Sequence, residues 1–320
     1  MPLIDVHAHA LPESYLNAMN SAGVFDVEGF PLPSWSESTH LALMDKCGID
    51  AATLSISAPG LGFITGKAAR ELARRINEDA AERRERTKGR FGAFAVLPLL
   101  DVEAAVEEAI YALDTLELEG LGLLTNIKGV YLGDPAFDDI FQVADKRAAV
   151  VYTHPVSPAP FNELSLGFPG STIEYPFDTT RMILNLVATG TLRRCQKLKL
   201  IVSHGGGTLP YLAERISNLA AMFNRLTPAL TPAEVVGQLK SIYYDATGIS
   251  NTVSLASYLK FVPPNRRLYG SDTPFMPAFT IDPALSALRG PEGCPKEDLV
   301  SLESGNAIDL FPKLAALLNL

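Results

Sequence analysis

The sequence predicts one (β/α)8 barrel, the TIM-barrel fold, as a single domain over residues 1–320. Eight short apolar runs alternate with stretches that carry apolar residues at helical spacing. Most of these runs lack polar alternation, as expected for parallel strands buried on both faces. Histidine and aspartate residues stand at the C-terminal ends of several of these runs. In such barrels the C-terminal ends of the strands form the face that carries the active site. A doubly wound open sheet is the alternative, but no glycine-rich phosphate fingerprint follows the first run.

The predicted strands are rich in valine, isoleucine, leucine and aromatic residues, which favour the pleated conformation. They are Leu3–Val6, Ala51–Ile56, Phe91–Leu97, Gly120–Leu124, Ala149–Thr153, Leu198–Ser203, Ile242–Asp245 and Arg267–Gly270. The spacing of the strands leaves room for a crossover helix between most neighbours, as parallel pairing requires.

Local signals mark several of the helices. A serine cap and a following glycine bound a helix over Ser36–Cys47, and Lys67–Thr87 has a helical stripe of apolar residues. Asp134 and Thr231 each stand before a proline, the combination typical of a helix N-cap with proline at the first helical position. Pro295–Leu320 reads as two helices that pack outside the barrel.

Two connections are longer than the usual few residues, namely Ala10–Pro33 and Pro155–Pro176. Each follows a predicted strand, so a barrel would place both over the carboxyl mouth. We expect them to act as lids or subunit contacts.

The composition narrows the class of protein. Lys+Arg number 27 against 36 Asp+Glu, a net charge of -9, which argues against nucleic acid or an anionic membrane as a partner. Three cysteines without a CxxC pair predict free thiols in a reducing compartment, and no secretory signal is evident, so we expect a cytoplasmic protein. No run reaches the roughly 18 apolar residues of a membrane span.

Histidines and one aspartate end four of the predicted strands. His7 and His9 point to the same face of the first strand because side chains alternate along it. His154, His204 and Asp272 follow the fifth, sixth and eighth strands. In a barrel these groups converge, and nitrogen with oxygen ligands predicts a divalent-metal site. Each has a structural alternative alone: a core histidine, a tight turn or a helix cap.

This order of ligands resembles the amidohydrolase superfamily. Ile4–His9, Val202–Tyr211 and Tyr269–Phe275 are similar to its decarboxylase branch, which includes aminocarboxymuconate semialdehyde, resorcylate and methylsalicylate decarboxylases. The resemblance to the 6-methylsalicylate decarboxylases extends to further segments, which are Leu32–Ser36, Leu54–Gly60 and Glu174–Thr180. It implies non-oxidative decarboxylation of a small aromatic acid of the 2-hydroxybenzoate type, such as 6-methylsalicylate, with release of CO2.

The resemblance also implies roles at the site. His7, His9, His154 and Asp272 would bind one divalent ion, Zn2+ in preference to Mn2+. Thr125 and Asn126 follow the fourth strand where binuclear relatives carry a bridging ligand, and we do not expect Lys128 to bridge. His204 would act beside the metal, and either His204 or Asp272 would deliver the proton.

Substrate contacts are predicted less specifically. By resemblance, Arg215 would reach the site of a neighbouring subunit in a homodimer. Four aromatic side chains in or beside mouth-facing connections are expected to hold an aromatic ring, namely Trp35, Tyr175, Phe275 and Phe279. The semialdehyde enzyme uses an arginine after the first strand, and residues 10–46 contain none, which favours a monoacid. His40 is expected to be a surface or packing residue.

Two other functions remain open on the sequence alone. The same metal site could activate water to hydrolyse a lactone or an amide. A metal-stabilised protein without catalytic activity is the third possibility, and assays for CO2, ring opening and acid release would separate the three.

Overall fold

A computed structural model describes residues 2–219 and 228–320, and these form a barrel of eight parallel strands. The strands are β1 Ile4–His9, β2 Ala51–Ser55, β3 Phe91–Val96, β4 Gly120–Leu124, β5 Val150–His154, β6 Lys199–Val202, β7 Tyr243–Asp245 and β8 Arg267–Leu268. Each strand pairs with its neighbour in chain order. The segment after β8 returns to β1, since Val6 N donates to Tyr269 O at 3.0 Å and His9 N to Thr273 O at 2.7 Å. All eight predicted strands are confirmed, and the open-sheet alternative is wrong.

A β-bulge interrupts β1 next to its two histidines. The register between β1 and β2 shifts between Asp5 and Ala8. Val6 belongs to the apolar cluster inside the barrel, and the ring of His7, one residue later, also faces inward, against Tyr152 at 5.5 Å. A bulge of this kind re-aims a side chain that strict alternation would send outward.

Helices surround the strands. They are α1 Glu13–Ser21, α2 Glu37–Cys47, α3 Gly66–Arg86, α4 Val102–Asp114, α5 Asp138–Lys146, α6 Phe161–Leu164, α7 Gly170–Ala188, α8 Thr191–Arg194, α9 Leu209–Asn218, α10 Pro232–Ser241, α11 Thr252–Phe261, α12 Ile281–Arg289, α13 Lys296–Val300, α14 Asn306–Leu310 and α15 Pro312–Leu317. The predicted caps form: the Ser36 side chain accepts from Thr39 N, and Thr231 caps α10. Asp134 accepts from Ala136 N at the turn before α5. No helix among the described residues is long and apolar enough to cross a membrane.

The C-terminal helices lie where the strands begin. Apolar residues of α14 and α15 join the cluster inside the barrel, and the rings of Phe94 and Phe311 are 5.8 Å apart. The tail forms three α-helices, α13 to α15, where two were expected. The helices cover the amino-terminal end of the barrel, which leaves the carboxyl end as its open face.

The two long connections form structure of their own at the carboxyl end. After β1, Asp26–Val27 and Phe30–Pro31 pair as a small antiparallel hairpin. After β5, the chain forms α6 and then the first turns of α7. Residues of both connections line a common cavity above the strand ends, as described below.

Candidate metal centre and active site

Four predicted ligands meet at the carboxyl end of the barrel. One ligand atom from each of His7, His9, His154 and Asp272 lies within 4.8 Å of all the others. The Nε2 atoms of His7 and His9 are 3.2 Å apart. Both face the same Asp272 oxygen, Oδ1, at 3.4 and 3.0 Å. The rings of all three histidines are buried, so no bulk water separates these groups.

Hydrogen bonds on the far side of each ring determine its tautomer. The Nδ1 of His154 is 2.8 Å from Pro155 O, and a carbonyl can only accept, so Nδ1 carries the proton. The Nδ1 of His7 is 3.0 Å from the carboxylate of Asp245, which likewise accepts. In the neutral form of both rings, Nε2 is the nitrogen that offers a lone pair to a metal ion.

The ring of His9 has a hydroxyl, that of Ser55, as the partner of its Nδ1. The Nδ1 of His9 is 2.8 Å from Ser55 Oγ, and this hydroxyl can in turn donate to Ala8 O at 3.4 Å. When Ser55 donates to Ala8 O it accepts from His9 Nδ1, and the Nε2 of His9 then offers its lone pair as well. Three imidazole nitrogens and a carboxylate oxygen lie within 4.8 Å of one another, an arrangement that a cation stabilises. The residues present therefore fit a divalent metal ion of nitrogen and oxygen preference.

The charges of the site agree with this requirement. Burial lowers the pKa of His9, and it lowers the pKa of His154 well below the usual value. Burial also opposes charge on His7, but the carboxylates of Asp245 and Asp272 outweigh it and raise its pKa to about 10. The pKa of Asp272 falls well below its usual value despite burial, because His7 and the other histidines favour the ionised form.

His204 lies beside this set and is not part of it. Its Nε2 is 3.4 Å from Asp272 Oδ2, the oxygen that the other histidines do not face. The backbone of His204 has a φ of 54°, in the left-handed region that non-glycine residues rarely adopt. Its N–H donates to Asp245 Oδ1 at 3.0 Å, and its Nδ1 has no hydrogen-bond partner among the described residues. The ring lines the cavity and is partly exposed there.

Asp245 is the functional residue that the sequence analysis missed. It ends β7, is fully buried, and bonds His7 Nδ1 through Oδ2 while Oδ1 accepts from the N–H groups of His204 and Thr247. One carboxylate thus orients a ligand and the neighbouring histidine together. The signal that could have found it was its place as the last residue of a predicted strand, shared with the recognised groups.

A cavity of about 450 Å³ opens above the metal centre. Its lining includes three site groups, five other polar residues and a majority of apolar surface. The side chains are His154, His204 and Asp272; Ser57, Ser171, Tyr175, Thr247 and Ser254; and Val27, Phe30, Pro176, Ile249, Phe275 and Met276, with glycines at 207 and 248. Among the described residues, no lysine or arginine lines it. The volume suits a single substituted ring.

The predicted substrate contacts divide into two groups. Tyr175 and Phe275 line the cavity, with their rings 5.7 Å from His154 and 5.4 Å from His9. Trp35, Phe279 and Arg215 do not line it. The Nε1 of Trp35 donates to His40 at 3.0 Å and its ring packs on the core, so the structure does not bring Trp35 to the cavity of its own chain. Phe279 is 79% exposed, and Arg215 is exposed on α9, so neither is positioned to contact the ring within one chain.

The end of β4 carries no metal ligand in this structure. Lys128 is exposed, away from the buried ligands. Thr125 donates to the buried carboxylate of Asp178, and Asn126 does so at 3.0 Å. These polar side chains are therefore engaged with α7 and not with the metal centre.

Minor predictions have clear outcomes. Cys47, Cys195 and Cys294 are free thiols, as predicted. His40 is a packing residue and not a surface one, since it is 4% exposed and its ring lies 5.2 Å from that of Phe91.

Comparison with known proteins adds to this geometry. A sequence model of the family described as Amidohydrolase matches residues 4–313. The chain is similar to the 6-methylsalicylic acid decarboxylase of Penicillium expansum, at 35% identity over 100% of this chain and 99% of that protein. It is similar to decarboxylase yanB of Aspergillus niger, at 35% identity over 98% of this chain and 88% of that protein. The crystal structure of a 2,6-dihydroxybenzoate decarboxylase complexed with 2,6-dihydroxybenzoate matches at a TM-score of 0.81 and 25% identity, over 98% of this chain and 99% of that one.

Proposed function

The chain belongs to the amidohydrolase family, and we propose that it is a metal-dependent, non-oxidative carboxy-lyase that releases CO2 from a small aromatic acid. The substrate class is a 2-hydroxybenzoate, of which 6-methylsalicylate is an example. One observation carries the proposal: three imidazole nitrogens and one carboxylate oxygen converge at the base of a ring-sized cavity. The similarity to decarboxylases over the whole chain supports the reaction type.

The proposed ligands are His7, His9, His154 and Asp272, which together bind one divalent ion. We propose Zn2+, with Mn2+ as the alternative, because the ligands are nitrogen and oxygen and the reaction involves no redox step. When bound, the ion supplies Lewis-acid stabilisation of negative charge on substrate oxygens. Asp245, Ser55 and Pro155 O fix the three rings in the required tautomer through their far nitrogens.

The reaction requires a proton on the ring carbon that bears the carboxylate. Protonation at this carbon gives a cyclohexadienone-like intermediate, because the ortho phenolate oxygen makes the carbon electron-rich. The carbon–carboxylate bond then breaks, CO2 leaves, and the bonding electrons restore the aromatic ring. His204 and Asp272 both line the cavity, with Nε2 and Oδ2 3.4 Å apart, and we assign the donated proton to this pair.

The cavity favours a monoacid with an apolar ring. No described lysine or arginine lines it, so within one chain the metal centre is the cationic partner for the substrate carboxylate, and His204 lies beside it. Phe275 stands 5.4 Å from His9 and Tyr175 stands 5.7 Å from His154, both edge-on, so the two rings flank the centre. We propose that they hold the ring of the substrate and keep water from it.

We further propose that residues 1–320 act as one domain in a cytoplasmic homodimer. Several large apolar side chains of the two long connections are exposed, including Phe25 at 68%, Leu166 at 84% and Phe168 at 59%. A second copy would cover such a surface. Arg215 and Phe279 are exposed, so they are available to a neighbouring chain, whereas Phe30 and Trp35 are partly buried. The free thiols suit a reducing compartment.

The test is CO2 release from a panel of substituted 2-hydroxybenzoates, with the metal content measured on the same preparation. We expect turnover of monoacids and about one ion per chain. His7→Ala and Asp272→Ala should lose the ion and the activity together. Turnover of a lactone or amide without CO2 release would instead support a metallohydrolase, and two ions per chain in fully active protein would contradict the mononuclear site.

A further inference from the structure

The small hairpin after β1, formed by Asp26–Val27 and Phe30–Pro31, has an unusual residue in its turn. Glu28 and Gly29 form a two-residue turn in which both φ values are positive, 52° and 85°. Such turns favour asparagine, aspartate or glycine at the first position, and glutamate is strained there. Local preference therefore does not explain Glu28, and its side-chain contacts must.

Those contacts join the hairpin to the connection after β5. The Glu28 carboxylate accepts from Ser157 N, at 2.9 Å to Oε1 and 3.1 Å to Oε2, and from Ser157 Oγ at 2.6 Å. The Glu28 backbone oxygen accepts from Gly170 N at 3.2 Å. No lysine or arginine within residues 2–219 or 228–320 forms an ion pair with this carboxylate, so Ser157 is its main polar partner.

The packing at this contact leaves no spare room. A Cβ on Gly170 would lie 2.1 Å from Ser157 Oγ and 2.7 Å from Glu28 Oε2, so only glycine permits this approach. Gly170 is the first residue of α7, and the positive end of the helix dipole favours the carboxylate. Ser157 is 6% exposed, which removes the contact from competition with water.

The same contact lies between two walls of the cavity. Val27 and Phe30, on either side of the turn, line one wall, and Ser171 and Tyr175 of α7 line another. Burial raises the pKa of the Tyr175 hydroxyl well above its usual value, and the Glu28 carboxylate raises it further. Tyr175 in turn lies against His154.

We propose that Glu28 is a positioning residue that fixes both walls of the substrate cavity through Ser157 and Gly170, without touching the substrate. The proposal rests on the proposed decarboxylase function for its kinetic consequence and on the contacts alone for its structural one. The proposed metal ligands sit on β1, on β5 and in the segment that follows β8, so loss of Glu28 leaves the metal centre intact and loosens the aromatic-ring site.

The test compares Glu28→Ala, Glu28→Gln and Ser157→Ala with Glu163→Ala, an exposed carboxylate on the connection after β5 that serves as the matched control. We expect Glu28→Ala to keep its metal and to raise KM for the aryl acid about tenfold, with kcat changed less. Glu28→Gln keeps one acceptor for Ser157 N and should recover part of the loss. Ser157→Ala should lie between the two, and Glu163→Ala should match the unmodified protein.

Hydrogen exchange of the metal-loaded protein supplies a readout independent of activity. Glu28→Ala should accelerate exchange in residues 24–32 and 156–172 and leave the barrel strands unchanged. Unchanged exchange in both segments, or an unchanged KM with normal metal content, overturns the proposal. If the unmodified protein decarboxylates no aryl acid, the proposed function fails, and the exchange result still decides the role of Glu28.

Discussion

Asp245 holds His7 Nδ1 at 3.0 Å through one oxygen and the backbone N–H of His204 at 3.0 Å through the other. A single buried carboxylate thereby orients a proposed metal ligand and a proposed proton-transfer residue. The pKa of Asp245 is lowered despite complete burial, because His7 and the hydrogen bonds that it accepts favour the ionised form. It therefore acts as an acceptor to both.

Asp245→Asn should weaken metal binding about 10- to 100-fold with little change in fold. The amide oxygen can keep the bonds from the N–H groups of His204 and Thr247, which turns the amide NH2 toward His7 Nδ1. That donor forces the His7 proton onto Nε2, where the metal binds. Competition with a chelator of known affinity measures the change.

Asp178→Asn is the matched control for this variant. Asp178 is also fully buried at the carboxyl end, but it accepts from Thr125, Tyr131 and Asn126 and contacts none of the proposed ligands. It should retain the metal. Equal metal affinity in Asp245→Asn and the unmodified protein would mean that the tautomer of His7 is set by something else.

His204→Ala should retain the metal and lose roughly 10²- to 10⁴-fold in turnover, the usual range for a general acid or base. His204 faces Asp272 Oδ2 and lies outside the four-ligand set, which is why the ion should stay. Metal analysis and steady-state kinetics on one preparation measure both quantities. Because residue 204 has a φ of 54°, His204→Asn is a useful second variant, since asparagine tolerates this conformation better than alanine. Loss of the metal from both variants would make His204 a direct ligand.

The sequence predicted the barrel and the groups at its strand ends because both depend on short-range patterns. The alternation within Ile4–His9 places His7 and His9, and strand ends place His154, His204 and Asp272. The bulge that turns both Val6 and His7 inward has no such pattern, since it follows from pairing with β2. The contact of Glu28 with Ser157 spans 129 residues and depends on how two connections pack, which no local pattern reports.

Aromatic residues were the least predictable part of the site for the same reason. Trp35 and Phe275 both stand in mouth-facing connections, but only the direction of each side chain decides its contact. Trp35 is turned toward His40 and the ring of Phe275 toward His9. Predicting that difference requires the tertiary structure.

The pair of Trp35 and His40 leads to a prediction about acid stability. Burial lowers the pKa of His40 to about 4, and its Nδ1 accepts from Trp35 Nε1. Above pH 6.5 the residue is neutral in the folded and unfolded states, so it adds no pH dependence. As the pH falls from 6.5 to 4, only the unfolded state gains the proton, and the free energy of unfolding falls by up to roughly 3 kcal/mol.

His40→Gln should remove this contribution while keeping an acceptor for Trp35. Calorimetry of the thermal unfolding of the metal-loaded protein, repeated at several pH values from 7 to 4.5, measures the effect. The variant should lose less stability toward low pH than the unmodified protein. Trp35 is the only tryptophan, so its fluorescence follows the same site. Equal loss of stability in the two proteins would show that His40 does not stay neutral in the fold.

The last prediction concerns the second copy of the chain. Arg215 is exposed on α9, while no described cation lines the cavity of its own chain. If Arg215 of one chain neutralises a substrate carboxylate in the cavity of its neighbour, the active site is built by two chains. His7→Ala then removes one part of that site, Arg215→Ala removes another, and each variant alone is inactive. A mixed dimer pairs an intact metal centre with an intact arginine at one of its two mouths. Activity should then reappear on mixing, to at most about half per mixed dimer.

The experiment mixes the two inactive variants under conditions that allow subunit exchange and follows CO2 release. Arg193→Ala, which removes an exposed arginine whose side chain donates to Pro228 O, is the control and should be active by itself. Subunit exchange is measured separately with differently tagged chains, so that an absence of activity in the mixture can be interpreted. If exchange is complete and the mixture stays inactive, Arg215 acts within its own chain or has no part in binding. Recovery on mixing would tie the affinity for the substrate carboxylate to association, because the cation that binds it comes from outside the barrel that holds the metal.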